Sequence, residues 1–364
     1  MTALSLRPEA VPHRVGRTFV TALAAGLPAA FLGFFFLLPL GAMLSRGFTT
    51  DGVLDLPGFA EVFSRPRTWR VVAITIGQGI AGTAISVLLG VPGAYLLYRC
   101  DFPGRNALRA LVTVPFVLPT VVVGVAFRSL LIPSGPLGFL GIDGTFAGIV
   151  AALVFFNYSV VVRTVGTFWA GLDPRTTQAA QALGASPAKA FWLVTLPALA
   201  PAIGSSAAVV FLFCATAFGI VLVMGQVGYA TIETEIWLQT TQFLDLKAAA
   251  ALSVTQLAIV AAALAAVGWW RARRERALTM RPVPPKRLRL TRLNSGDVVA
   301  VLVTGVVAVV LVALPVLTLL ARSLRTPTGW GLGNYVALGT TGSANTLSVT
   351  VWAALGNSLR IAVQ

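Results

Sequence analysis

The sequence predicts an all-α integral membrane protein, a multi-span helical bundle. Three observations predict it. Apolar runs of 18 or more residues recur along the chain, and 57% of its 364 residues are apolar against 11% charged, with a mean hydropathy of +0.85. Basic residues cluster between those runs and are scarce inside them. The polar stretch 173–197 carries two helix-start signals, so one long connection also reads as helical.

Taken in order, residues 1–17 hold Arg7, Arg14 and Arg17 without apolar periodicity and are expected to form a short tail. Thr18 to Ser45 contains no charge; at about 1.5 Å per residue it reaches about 42 Å, enough for one tilted crossing of a roughly 30 Å hydrocarbon core. Gly33, Pro39 and Gly41 inside it are tolerable where neighbouring groups satisfy the backbone. Residues 46–70 mix charge, Gly and Pro and read as an outer loop. A second span is expected over about 71–98, followed by a basic loop with Arg99, Arg105 and Arg109. A third covers about 110–131, and the turn-rich stretch 132–144 follows it. The fourth runs over about 145–163 and ends at Arg163; the fifth and sixth cover about 198–224 and 247–270, joined by an outer loop through Asp245.

Within 173–197, Asp173-Pro174 offers an N-cap carboxylate followed by proline at the first helical position, and Ser186-Pro187 repeats the device with a hydroxyl. Gly184 between them is the residue best able to take φ > 0 and end the first helix. The stretch reads as short helix, glycine turn, short helix, closed by Leu196-Pro197.

A net charge of +15 would suggest a nucleic-acid partner in a soluble protein. Here residues 1–17, 99–109, 163–197 and 271–292 hold 18 of the 27 basic residues. Six spans place all four stretches on one side, so the positive-inside rule accounts for the charge and no nucleic acid is expected. That side is cytoplasmic, with the N-terminus in the cytoplasm. Cys100 and Cys214 do not suggest a disulfide framework, and His13 is the only histidine, so neither a His-based zinc site nor a Ser-His-Asp triad is expected. No catalytic or metal-binding residues are predicted.

After residue 292 the chain begins again. Leu38-Pro39 and Ser45-Arg46 are echoed by Leu314-Pro315 and Ala321-Arg322, and Leu56-Pro57-Gly58-Phe59 is loosely echoed by Leu332-Gly333-Asn334-Tyr335. The expected organisation is a tail (1–17), a first six-span half (18–270), a basic linker (271–296) and the start of a second, truncated half (297–364), as in a longer fused chain.

Gln178-Ala179-Ala180, then Gly184, then Val194-Thr195-Leu196-Pro197 resemble in content and spacing the EAA loop of bacterial ABC-importer permeases. The resemblance implies a type I importer permease of the inner membrane, with this loop as a coupling helix docked on a separate ATPase. Implied coupling residues are Arg175, Gln178, Ala179, Ala180, Gly184, Ala185, Leu196 and Pro197. One departure stands out: Gln178 occupies the place of the family's usual Glu and gives up its charge. The implied partners are an ATPase dimer, an extracytoplasmic substrate-binding protein and the bilayer. ATP and Mg would be bound by the ATPase, with no cofactor on this chain, whose three lysines (Lys189, Lys247, Lys286) never follow glycine as a phosphate-cradling loop requires.

Two stretches are similar to thiamine permeases: Gly148-Ile149 with Val154-Phe155-Phe156-Asn157, and Phe213–Phe218 with Ala230–Trp237. Thiamine is therefore the expected cargo, with ferric iron or another small solute as the alternative. Asn157 and Tyr158 in a span, and Glu233 and Glu235 before the sixth, are candidates for the translocation path or its outer mouth, although interhelical hydrogen bonds and a solvated loop would also account for them. An ion-coupled carrier is the competing class. It would usually place carboxylates inside spans, and 18–45, 71–98, 198–224 and 248–270 contain none.

Overall fold

A computed structural model describes residues 14–50, 53–54, 56–226, 228–275, 288–289, 295–327, 329–342 and 348–363. The expected tail therefore lies largely outside the described residues, as does most of the 271–296 linker.

The first apolar run forms α1 (Arg14–Leu32), a π-helical stretch (Gly33–Leu37) and α2 (Leu38–Phe48). Pro39 cannot donate to the preceding turn, and the wider π turn just before it accommodates the ring without ending the helix. The 46–70 stretch is more ordered than a loop: β1 (Thr49–Thr50) pairs antiparallel with β2 (Val53–Leu54), and α3 (Leu56–Ser64) follows. The second span, α4 (Pro66–Arg99), starts on a proline, where a missing N–H costs nothing. After β3 (Cys100–Asp101) come α5 (Arg105–Val117) and α6 (Thr120–Leu131), then α7 (Phe146–Ala170).

Three expected spans are corrected. The third is two helices, α5 and α6, bent by 106° at Leu118-Pro119. Leu118 precedes a proline and is held extended (φ −71°, ψ 138°), which stops α5 one residue earlier. The fourth continues past Arg163 to Ala170, so this arginine lies seven residues inside α7. The fifth begins earlier and ends earlier than expected: α9 (Pro187–Ala190), a π stretch (Phe191–Thr195) and α10 (Leu196–Ala215) form one helix through Leu196-Pro197. As at Pro39, a π turn immediately before the proline lets the helix pass. The helix stops at Ala215, and α11 (Gly219–Met224) is separate.

The stretch expected as an outer loop contains α12 (Ile232–Thr241), and α13 (Leu246–Glu275) follows. β4 (Leu288–Arg289) pairs parallel with β3. Then α14 (Ser295–Val306), a π stretch (Val307–Ala313) and α15 (Leu314–Leu324) lead to an antiparallel pair, β5 (Arg325–Thr326) and β6 (Gly329–Trp330), and on to α16 (Gly333–Val336) and α17 (Val351–Val363). Six described helices are long and apolar enough to cross a membrane, or seven spans if the bent pair is counted as one. The protein is an all-α membrane bundle.

The sequence echo has a structural counterpart. β5 and β6 lie 276 residues after β1 and β2 (Thr49 to Arg325, Val53 to Gly329). Each pair follows a helix that contains a π stretch and then a Leu-Pro step, Leu38-Pro39 in one and Leu314-Pro315 in the other.

The chain divides into two compact units. In the smaller (residues up to Thr68 with Ile236–Val254), Val62, Ala248 and Ala251 form a small core, and Arg65 pairs with Asp245 (3.3 Å) and Glu61 (3.4 Å). In the larger, α7 is enclosed by α4, α5, α6, α10 and α11, and its Ile149, Leu153, Phe155, Val161 and Val165 are buried. Gly90 and Gly93 of α4 leave room for Val161 and Tyr158 of α7, the small-residue packing by which membrane helices approach closely. The 295–324 segment joins this unit through a Tyr95 hydroxyl donating to Asp297 (2.7 Å) and an Arg322 guanidinium donating to the Ser129 carbonyl (3.1 Å).

Candidate functional site: a capped helix between two spans

The 173–197 stretch folds as its local chemistry dictates. Asp173 Oδ1 accepts the Arg175 N–H (2.9 Å), filling one of the orphan donors at the start of α8 (Arg175–Ala182). Gly184 takes φ +90° and ends it, with the Ala185 N–H reaching back to the Ala180 carbonyl (3.0 Å). A side chain at Gly184 would meet nothing within 4 Å, so the requirement for glycine is conformational and not steric. Ser186 Oγ then accepts the Lys189 N–H (3.3 Å) to start the next helix.

The result is a capped, exposed helix. Arg175, Gln178, Ala179 and Gly184 are exposed, Ala180 and Ala185 partly so, and Leu183 is 90% exposed. Its footing is aromatic: Trp169 at the end of α7 stacks on Phe191 (centroids 6.0 Å apart) and packs on Tyr95 (5.4 Å). The Thr177 and Thr195 hydroxyls lie 3.3 Å apart and tie α8 to the π stretch. Leu196 and Pro197 sit at the start of α10, inside the continuous 187–215 helix, and do not close the loop. α8 is thus held between the ends of α7 and the 187–215 helix.

The polar side chains inside the bundle hydrogen-bond between helices. α10 ends at Ala215 inside the bundle, where Cys214 and Ala215 are fully buried, and its last carbonyls need donors. Gln78 Nε2 supplies one to Cys214 O (2.7 Å) and Gln256 Nε2 one to Ala215 O (3.1 Å). Gln78 Oε1 accepts from the Tyr229 hydroxyl (2.8 Å). Asn157 Nδ2 donates to Leu153 O (2.9 Å) and approaches Cys214 Sγ (3.4 Å). Asn157 and Tyr158 are 0% and 1% exposed, packed between helices and facing no open path in this conformation.

Nor do the acidic residues form a solvated cluster. Asp245 caps α13 by accepting the Ala248 N–H (3.0 Å) and pairs with Arg65. Glu235 is 3% exposed in the first turn of α12. Glu233 is half-buried, and burial raises its carboxyl above the usual range. Among the described residues no group of three or more His, Cys, Asp or Glu is placed to hold a metal ion. The sequence does not announce the break at 215–218, but Gln78 and Gln256, two amides inside otherwise charge-free spans, do the interhelical hydrogen bonding expected of polar groups there.

Residues 82–276, more than half the chain, match the family described as the binding-protein-dependent transport system inner membrane component. The chain is 30% identical over 245 residues to the sulfate transport system permease protein of Escherichia coli, covering 65% of this chain and 87% of that one. It is 33% identical over 256 residues to the molybdenum transport system permease protein of Mycobacterium tuberculosis, covering 66% and 91%. A bacterial alginate ABC transporter, crystallised with a pentasaccharide-bound periplasmic protein, contains a chain of the same fold (TM-score 0.59, 16% identity, 72% of this chain and 98% of that one). With a capped, exposed helix set between two spans of a multi-span bundle, and with these matches, the chain belongs to the inner-membrane permeases of binding-protein-dependent ABC importers.

Proposed function

We propose that this permease imports an inorganic oxyanion of the sulfate or molybdate kind, driven by a separate ATPase that docks on α8. The observation that carries the coupling role is the exposed helix 175–182, fixed at both ends by its own caps and seated on α7 and the 187–215 helix. ATP-driven closure of the partner would move α8 and rock the two spans, as alternating access requires. Arg175, Gln178, Ala179, Ala180 and Leu183 form the docking surface; Gln178 makes a neutral hydrogen bond where a carboxylate would make an ionic one. ATP and Mg belong to the partner, and the N-terminus and α8 face the cytoplasm, in keeping with the basic residues on that side. A substrate-binding protein delivers the cargo on the opposite face.

The cargo follows the sulfate and molybdate relatives in place of the thiamine or ferric-iron expectation. The acidic residues that could draw a cation to this loop, Glu233, Glu235 and Asp245, are committed to capping, ion pairing or burial. The 276-residue structural echo supports reading 297–363 as the beginning of a second permease half.

Uptake of labelled sulfate, molybdate, thiamine and ferric iron, with and without the gene and under limitation of each, tests the cargo. Loss of sulfate or molybdate uptake alone is expected; loss of thiamine or iron uptake alone would overturn the oxyanion reading and keep the permease. Uptake that survives ATP depletion but collapses with the proton gradient would remove the ATP-driven mechanism itself.

A further inference from the structure

We propose that the cavity at the α8 end of the bundle is a binding site for a tetrahedral oxyanion, held by Arg109, Arg163 and Ser159. The cavity, about 490 Å³, opens between the end of α4, α5 from Arg109 to Val117, and the second half of α7. Its wall is apolar except for a few groups, and those are hydrogen-bond donors. Arg109 lies 4.1 Å over the Tyr98 ring and Arg163 lies 5.5 Å over Phe116. These rings hold the guanidinium groups in place while leaving their N–H edges available. Among the described residues neither arginine is in an ion pair.

Ser159 is the second, independent observation. Helical serines normally return the hydroxyl to the carbonyl four residues back, as Ser205 does to Pro201 (2.9 Å) and Ser253 to Ala249 (2.8 Å). Ser159 is 6% exposed, lines the cavity, and makes no such bond to any described residue. Its hydroxyl opens onto the cavity and can donate to whatever occupies it.

Arg163 is exposed at the rim of this cavity, so its N–H edges can reach an anion seated there. Two planar forks and one hydroxyl match a compact anion with several acceptor oxygens. Sulfate, molybdate and the phosphate of a lipid headgroup share that chemistry. The site rests on charge and geometry alone, so its failure would leave docking of an ATPase on α8 untouched.

The test uses the full chain in dodecyl maltoside, which brings no phosphate. Sodium sulfate or molybdate, compared with sodium chloride at equal ionic strength, should raise the unfolding temperature saturably. Phosphatidylglycerol added to the micelles is the second arm. Stabilisation by that lipid and not by the free anions assigns the site to a headgroup; stabilisation by the free anions assigns it to a soluble oxyanion. Arg163→Gln should abolish the effect. Ser159→Ala, which removes one hydroxyl and leaves the fold, should weaken the affinity about tenfold. No stabilisation in either arm, or unchanged affinity in both variants, overturns the proposal.

Discussion

Two helix ends in this permease face the same problem and solve it in opposite ways. At α8 the orphan backbone groups are satisfied by near neighbours: Asp173 two residues ahead of Arg175, Ala180 five residues behind Ala185, and Ser186 three ahead of Lys189. At Cys214-Ala215 they are satisfied from Gln78, 136 residues away, and Gln256, 41 residues away. The first solution leaves a helix that keeps its shape while standing out from the bundle, which is what a docking element needs. The second stitches three helices together where no water can substitute. Local capping serves exposure, and remote capping serves cohesion.

The comparison can be tested from its strongest consequence downward. Gln78→Leu strips donors and acceptors from two partners at once and should cost about 2 kcal/mol, read as a lower unfolding midpoint in micelles. Adding Tyr229→Phe removes the hydroxyl orphaned by that change and should restore part of the loss. No recovery would mean that the two side chains are not coupled. At the exposed end, Gly184→Ala must hold an alanine at positive φ and should cost about 1 kcal/mol, with Gly184→Asn milder because asparagine tolerates that region. Gly184→Asp should abolish uptake while the protein still inserts and folds, since nothing crowds the position. Ser186→Ala should cost about 0.5 kcal/mol, measured in the same micelles, because the N–H it strands can turn to water.

The smallest expected effect concerns Glu233. Burial raises its carboxyl, so the folded state holds the proton more tightly than the unfolded chain does. Stability should therefore fall as pH rises from the ordinary carboxylate value through the raised one. Glu233→Gln should flatten that part of the unfolding profile, and a slope that persists in the variant would locate the titrating group elsewhere.

This contrast also explains what could be read from the sequence. Asp173-Pro174, Gly184 and Ser186-Pro187 act within a few residues of themselves, so the ends of α8 and the start of the next helix were legible as written. The spans were legible in number more than in outline. Leu118-Pro119 divides one because a residue before proline leaves the helical region, while Pro39, Pro197 and Pro315 divide nothing because a π turn absorbs each of them. The break after Ala215 was not legible, because the amide groups that satisfy its carbonyls lie on other helices. Asn157, Tyr158 and Glu235 were polar in the right places for a path, yet packing partners far along the chain enclose them.

The most direct test of the central claim is cross-linking from α8. Cys100 and Cys214 are both buried, and burial pushes the Cys100 thiol up to about 11, so a cysteine at the exposed Leu183 would be the reactive one. Leu183→Cys, carrying a short thiol-linked photoreactive group in the assembled importer, should capture the ATPase subunit. Leu88→Cys, at an exposed position on the apolar α4, should not. Capture of the ATPase from Leu183 alone supports α8 as the coupling element; an importer that transports with its ATPase bound, yet gives no adduct from Leu183, would contradict it.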